Sequence, residues 1–431
     1  MFHNMNIVQK ILQIFKLSEL RNKILFVLGV FVIFRLMANI PIPGIDASRL
    51  QAFFAQNELF GLLNLFTGGA LDSLSIVMLG VGPYITATIV MQLLTMIFPP
   101  LERMYKEEGE AGKKKFSQYG RLLTVPFALV QGYGFLTLLL RQGIIDQITP
   151  FDYVTALGTV MAGTILLMWL GELITEKGIG NGVSLLIFAG IVAEFPASAR
   201  SLVIDWDPSQ ALTIGSFFVM AVAIIAAVVF VTEARRNIPV SYAKRVRGNK
   251  VYGGTSTYLP LSVNPAGVIP IIFALSLLTF PGMIANFFVG AQGFMGDLAR
   301  FITTHLDPSS WPYIASYFLL VALFTFFYTA VTFDPKAISS NLQKMGGFVP
   351  GVRPGPSTAA HISYILNRVL LIGAIFLGTV AIMPFLIQKG TGLVSFQFLL
   401  GGTALLIIVN VALETMRQIR AQLQMREYDT F

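Results

Sequence analysis

Apolar residues in this chain come in long unbroken runs rather than in alternation, and Lys, Arg, Gly and Pro collect in the stretches between them. Ten such runs stand near 24–40, 74–98, 122–140, 154–173, 183–204, 211–232, 265–290, 312–333, 369–388 and 394–413. A helix needs about 20 apolar residues to cross roughly 30 Å of hydrocarbon, so each run has a length close to that of a span. A membrane barrel would read as shorter segments of alternating polarity. The pattern predicts an all-α polytopic membrane protein with ten transmembrane helices.

Ten runs divide into two halves of five, and because five is odd the second half enters the bilayer upside down relative to the first. Inverted halves place a central passage or binding site at their interface. The expected organisation is a cytoplasmic N-terminal segment over 1–22, either lying in the interface or simply leading into the first span, one half over 23–206, the other over 207–413, and a cytoplasmic tail over 414–431. No cleavable signal pattern is expected, because Lys10, Lys16, Arg21 and Lys23 lead straight into a full-length span.

Composition sharpens this picture. Over 431 residues, 55% hydrophobic and 12% charged side chains exclude an ordinary soluble domain. Cys is absent, which excludes disulfides and thiolate chemistry. His3, His305 and His361 lie on separate segments, without metal-site spacing. The run Gly109-Glu110-Ala111-Gly112-Lys113-Lys114 has the wrong spacing for a phosphate loop. Neither a catalytic set nor a cofactor site is expected.

Charge fixes the expected sidedness. Most of the 30 Lys and Arg fall on the side of the N-terminus, while Arg35, Arg49, Arg141, Arg200, Arg300 and Lys389 lie within spans or on the other side. By the positive-inside rule both termini are cytoplasmic. The net charge of +8 is thus gathered on one face, suited to anionic lipids or an acidic partner. Two loops there, 233–264 and 334–363, exceed what topology needs. The second carries the turn-rich run Gly346 to Pro356, whose Gly and Pro stiffen it into a docking platform.

Ion-coupled transporters usually keep ionisable groups near mid-membrane. The spans offer instead Thr86, Thr88, Gln92, Gln131, Thr137, Asn264 and Asn410, each expected to hydrogen-bond between helices. Glycines and prolines at Gly80, Gly82, Pro83, Gly178, Gly180, Gly182, Gly267, Pro270 and Pro384 are expected to permit kinks or close helix approach. Between the first two runs lies Leu59 to Ala70, too apolar for a loop and too short to cross. It reads as a re-entrant helix ended by Gly68-Gly69, or alternatively as a surface amphipathic helix.

Several motifs then occur in one order: Ile40-Pro41-Ile42-Pro43-Gly44-Ile45-Asp46, Gly68-Gly69-Ala70-Leu71, Leu79 to Ala87, Gly178-Ile179-Gly180-Asn181-Gly182-Val183-Ser184, Leu259-Pro260-Leu261 with Asn264, and Pro350-Gly351-Val352-Arg353-Pro354-Gly355. From Glu19 to the last run the chain resembles the SecY family, the channel subunits of the bacterial protein translocase. The resemblance implies an hourglass passage through the cytoplasmic membrane whose waist is a ring of Val81, Ile85, Val183, Ile187, Ile272 and Ile407. It implies a plug formed by Phe60, Gly61, Leu62, Leu63, Asn64, Leu65, Phe66, Thr67, Gly68, Gly69 and Ala70. It implies a lateral gate held by Thr86, Gln131 and Asn264, between the second and third spans and the seventh and eighth. The implied partners are SecE- and SecG-type subunits, the motor ATPase SecA, the ribosome, signal peptides with their unfolded preproteins, and anionic lipids. Docking falls to Arg353 and to Lys244, Arg245, Arg247 and Lys250, where Asn249-Lys250 replaces a pair of arginines found in some relatives. A secondary transporter would want a mid-membrane ionisable site, and a membrane enzyme a clustered catalytic set; neither pattern is present in the sequence.

Overall fold

The computed structural model describes residues 17–42, 64, 67–71, 73–141, 143, 145, 149–204, 211–242, 245–247, 250–252, 256–288, 292–307, 310–391 and 402–429. Among them a helix stands on each of the ten apolar runs: α1 (Ser18–Ala38), α2 (Gly82–Ile97), α4 (Gly109–Arg141), α5 (Pro150–Lys177), α6 (Gly182–Ile204), α7 (Ala211–Glu233), α8 (Ile269–Phe288), α10 (Trp311–Thr332), α12 (Pro356–Thr391) and α13 (Gly402–Asp429). Three shorter helices join them: α3 (Pro99–Lys106), α9 (Phe294–His305) and α11 (Pro335–Lys344). By length and composition, four helical stretches among the described residues suffice to cross a bilayer alone: Gly109–Leu140, Pro150–Lys177, Trp311–Lys344 and Pro356–Ile387. Counted as one broken span, the bent pair α2 and α3 makes a fifth.

Local chemistry sets where the helices begin. Thr149 accepts from Asp152 N ahead of Pro150, Ser310 accepts from Tyr313 N ahead of Trp311-Pro312, and Asp334 accepts from Lys336 N and Ala337 N ahead of Pro335. Each side chain satisfies amides that a helix start leaves open, while proline costs nothing in the first turn. Pro83 and Pro270 also stand at helix starts, of α2 and α8, so they begin helices rather than kink them. Pro384 does lie inside its helix. Phe98, held extended before Pro99-Pro100, ends α2, and the chain turns through 110° into α3.

The second run departs most from expectation. Apolar sequence begins at Leu74, but α2 begins only at Gly82, and the residues before it are turns. Leu74, Val77 and Met78 are fully buried there. Ile42 N bonds Leu74 O at 2.9 Å, Ile76 N bonds Ile40 O at 3.0 Å, and Ser73 Oγ donates to Ala38 O at 2.8 Å, fastening this knot to the end of α1.

The long loops fold as well. Strands β1 (Arg235–Tyr242), β4 (Ser256–Ser262) and β5 (Gly347–Phe348) form an antiparallel sheet in the order β4-β1-β5, with Arg235 opposite Ser262 and Ser241 opposite Phe348. Ile238 and Leu261 on the sheet bury against Val349 and Ile362. Both loops expected to dock partners are thereby welded into one platform. A separate hairpin of β2 (Arg245–Arg247) and β3 (Lys250–Tyr252) stands on the first loop. Inside the bundle one apolar cluster joins helices of both halves, including Val30, Leu170, Leu186, Ile271, Tyr317 and Leu406.

Candidate functional site

Helices α2, α4, α5, α6, α8 and α10 surround a cavity of about 560 Å³. Its walls are mixed, with aromatic surface from Trp169, Phe273 and Tyr328 and polar side chains from Thr88 and Gln92 on α2, Ser117 and Arg121 on α4, Glu172, Thr175 and Glu176 on α5, and Asn181 and Ser184 at the start of α6. Among these, Ile85, Val183, Ile187 and Ile272 contribute aliphatic surface. The structure thus brings four of the six expected ring residues to one cavity. Val81 and Ile407, 6% and 0% exposed, belong with Ile187 to the apolar cluster on which Ile85, Val183 and Ile272 pack.

Arg121 Nε pairs with Glu172 Oε1 at 2.9 Å across α4 and α5, inside this cavity. The sequence reading missed the pair because hydropathy starts the third span at 122, whereas α4 starts at Gly109 and carries Arg121 into the bundle. The Gly178 to Ser184 motif forms the cavity's rim. Gly180 N donates to Gln418 Oε1 of α13 at 2.7 Å, Gly182 N to Thr175 Oγ1 at 2.9 Å, and Ser184 N to Asn181 Oδ1 at 3.2 Å. A Cβ at Gly182 would overlap Gly171 O, so only glycine lets α6 approach α5 this closely.

A second cavity of about 100 Å³ separates α2 and α4 from α8, lined by Met78, Gly82, Thr86, Gln131, Phe135, Leu275, Ser276 and Thr279. Gln131 Nε2 donates to Thr86 Oγ1 at 3.4 Å, a long bond at the edge of the useful range. These two gate candidates meet. Asn264 makes its bond elsewhere: it lies in the turn before α8, its Nδ2 donates to Gly267 O at 3.1 Å, and its Oδ1 is buried without a partner among the described residues. Ser276 and Thr279 occupy the α8 side of this cavity, and nothing in the sequence separated them from ordinary helix residues. Of the other interior polar residues, Thr137 bonds Tyr153 Oη at 2.9 Å and Asn410 accepts from Thr232 at 2.9 Å, both between helices. Thr88 instead donates within its own helix, to Tyr84 O, and Gln92 Oε1 is buried without a partner among the described residues.

Of the expected plug, Phe60, Gly61, Leu62, Leu63, Leu65 and Phe66 lie outside the described residues. Its end is described. Gly69 N bonds Asn64 O at 3.1 Å, and Gly68 and Gly69 have φ of 68° and 78°, the left-handed geometry that ends a helix. Arg35 Nη1 donates to Gly68 O at 2.6 Å and stands 3.7 Å from Glu194 Oε1 on α6. Gly68 backs onto Gly190, and a Cβ on Gly69 would strike the Glu194 carboxylate.

Among the docking candidates, Arg353 is exposed in the turn between β5 and α12, which is braced by Thr358 Oγ1 donating to Arg353 O at 2.8 Å and Ser339 Oγ donating to Gly355 O at 2.6 Å. Arg245, Arg247 and Lys250 lie on the β2–β3 hairpin, with Arg247 opposite Lys250. Lys244 lies outside the described residues.

A family model, SecY, matches residues 75–416. The chain belongs to the SecY family. The protein translocase subunit SecY of Streptomyces coelicolor is 44% identical over 434 residues, covering 97% of this chain and 98% of the relative. That of Mycobacterium bovis is 42% identical over 432 residues, covering 96% and 97%. A solved protein-conducting channel superimposes with a TM-score of 0.62 at 17% identity, over 92% of this chain and 91% of its own. Sec61 in a canine ribosome-channel complex from the endoplasmic reticulum gives 0.58 at 17%, over the same shares. Those two structures establish fold. This SecY-family chain is a multi-pass helical membrane protein with the architecture of that channel.

Proposed function

We propose that this chain is the channel subunit of a Sec-type translocase, moving unfolded, signal-bearing polypeptides across the bacterial cytoplasmic membrane and releasing apolar segments sideways into lipid. The observation that carries the reading is the cavity to which Ile85, Val183, Ile187 and Ile272, from three helices, contribute aliphatic surface beside polar side chains. The Arg121–Glu172 pair and its polar neighbours hold water, whereas a narrow aliphatic constriction sheds it and so opposes ion flow. Aliphatic side chains also yield around a passing chain without binding any one sequence tightly.

The gate follows from the weakness of its seam. Between α2, α4 and α8 lie a small cavity and a 3.4 Å hydrogen bond, so an apolar signal helix that replaces these contacts with its own biases the equilibrium toward an open packing. Thr86 and Gln131 hold the seam directly; Asn264 acts from the base of α8. The halves over 23–206 and 207–413 move against each other, with the segment from Phe60 to Ala70 as the plug. Both termini and the β-sheet platform face the cytoplasm, where Arg353 and the cationic hairpin receive the ribosome or SecA, and SecE- and SecG-type subunits complete the assembly with anionic lipids around it. Energy comes from the motor or from the membrane potential.

The test is reconstitution. The purified chain with SecE- and SecG-type subunits in vesicles, given SecA, ATP and a signal-bearing precursor, protects the precursor from added protease. Protection equal to that of empty vesicles contradicts the reading.

A further inference from the structure

Helix α9 sorts its twelve residues onto three sides. At 100° per residue, buried Gly296 and Ala299 form the side packed on α8 and α10. Asp297, Arg300 and Thr304 form a polar side, on which Arg300 Nη2 stands 3.4 Å from Asp297 Oδ1. Phe294, Met295, Leu298 and Phe301 form the third, 77%, 58%, 41% and 59% exposed. His305 stacks on Phe301 at 4.0 Å and closes the end of this stripe.

A helix with packed, polar and bare apolar sides in that order fits a boundary where protein, water and hydrocarbon meet. Its position agrees. α9 links the end of α8 at Phe288 to the start of α10 at Trp311, two helices that run back into the bundle. Ile284 and Phe288, 41% and 43% exposed, carry apolar surface along α8 up to that end. At the start of α10, Trp311 is 64% exposed with Lys389 Nζ 4.2 Å over its ring, a pairing typical of the membrane–water interface, where aromatic rings and snorkelling cations collect. The bare stripe of α9 therefore continues a lipid-facing belt.

We propose that α9 lies in the plane of the outer leaflet, with Phe294, Met295, Leu298 and Phe301 immersed among acyl chains, and tethers the outer end of the gate helix α8 to the bilayer. The assignment to the outer leaflet rests on the topology proposed above; immersion of the stripe does not. The occupant is hydrocarbon rather than anionic headgroup, because Asp297 and Arg300 offset each other on the polar side and leave no basic excess. Binding of the stripe is accordingly indifferent to salt and to lipid charge, unlike that of basic amphipathic helices.

The chain has no native cysteine, so single thiols report cleanly. Leu298→Cys and Thr304→Cys, on the apolar and polar sides of α9 and about 120° apart around it, are each labelled with an environment-sensitive fluorophore in the full chain with its partner subunits, reconstituted in vesicles. The label at 298 is expected to emit blue-shifted and to lose most of its intensity to nitroxide-bearing lipids. The label at 304 is expected to answer to aqueous iodide instead. The contrast persists in zwitterionic vesicles and at high salt, and Phe301→Cys repeats the result at 298. Equal iodide access at 298 and 304 would overturn the proposal, as the stripe would then stand in water. Shielding of 298 from both quenchers would also overturn it, because a protein subunit would then cover the stripe. Loss of the contrast on removing anionic lipid would refute the hydrocarbon assignment. Retained SecA-driven translocation by each labelled protein verifies that the fold is intact.

Discussion

Replacing Arg35 should loosen the resting channel, and the contacts give the size of the effect. Arg35 holds Gly68 by a charge-assisted bond of 2.6 Å and stands 3.7 Å from Glu194, with side-chain exposures of 45% for Arg35 and 19% for Glu194. A hydrogen bond from a charged donor contributes about 1.5–3 kcal/mol when buried. The partial exposure of Arg35 brings that to about 1–2 kcal/mol, and the looser ion pair adds less than about 1 kcal/mol. If the turn at Gly68 must leave this site when the channel opens, Arg35→Met raises the open fraction by a factor of about 5–30. Glu194→Gln leaves the bond to Gly68 in place and should raise it only a few-fold. Single-channel recording of the purified complex in planar bilayers reads the open probability directly, with thermal unfolding in detergent as the control for global damage. Unchanged open probability in Arg35→Met, or a larger effect in Glu194→Gln than in Arg35→Met, would refute the reasoning.

Three other outcomes are expected. Ile85→Asn combined with Ile272→Asn puts amides on the aliphatic surface of the main cavity and should make the resting channel leak ions; an unaltered ion flux would count against the constriction. Arg353→Glu, on an exposed and well-braced turn, should slow SecA-driven translocation while leaving expression and unfolding temperature unchanged, and normal rates in membrane vesicles would contradict the docking role. Gly182→Ala forces a methyl onto Gly171 O and to 2.8 Å from Ile174 Cβ, which should cost about 1–3 kcal/mol and lower the unfolding temperature; an unchanged temperature would show that α5 and α6 separate more easily than their contact implies.

The positions of the ten helices were legible because hydropathy reports burial in lipid or in a helical core. The same fact explains the chief miss. Leu74, Val77 and Met78 are as buried as any span residue, yet they sit in turns, so an apolar run there reported burial without conformation. Arg121 was hidden for the opposite reason, because a polar first half of α4 looked like loop. The sheet was readable in principle from the alternation of Ile238 and Val240, both buried, with the more exposed Asn237 and Ser241. Pro239 and Pro260 argued against strands, and they are accommodated in β1 and β4. No periodicity distinguishes Ile85, Val183, Ile187 and Ile272 from packing residues, so resemblance alone brought them together on the page before geometry did. The partnership of Thr86 with Gln131 rested on the same ground. Ser276 and Thr279 became visible only once α8 was set against α2 and α4.

The central claim is that a polypeptide passes through the aliphatic constriction and not along the outside of the bundle. With no native cysteine to confuse the reading, a photocrosslinker is placed singly at Val81, Ile85, Val183, Ile187, Ile272 and Ile407 and, as a control, at Leu319, which is 64% exposed on the outer surface of α10. A precursor arrested halfway by a folded domain at its end is then irradiated. The account predicts adducts from Ile85, Val183, Ile187 and Ile272 together and none from Leu319. Adducts from Leu319, with silence from those four, would contradict it.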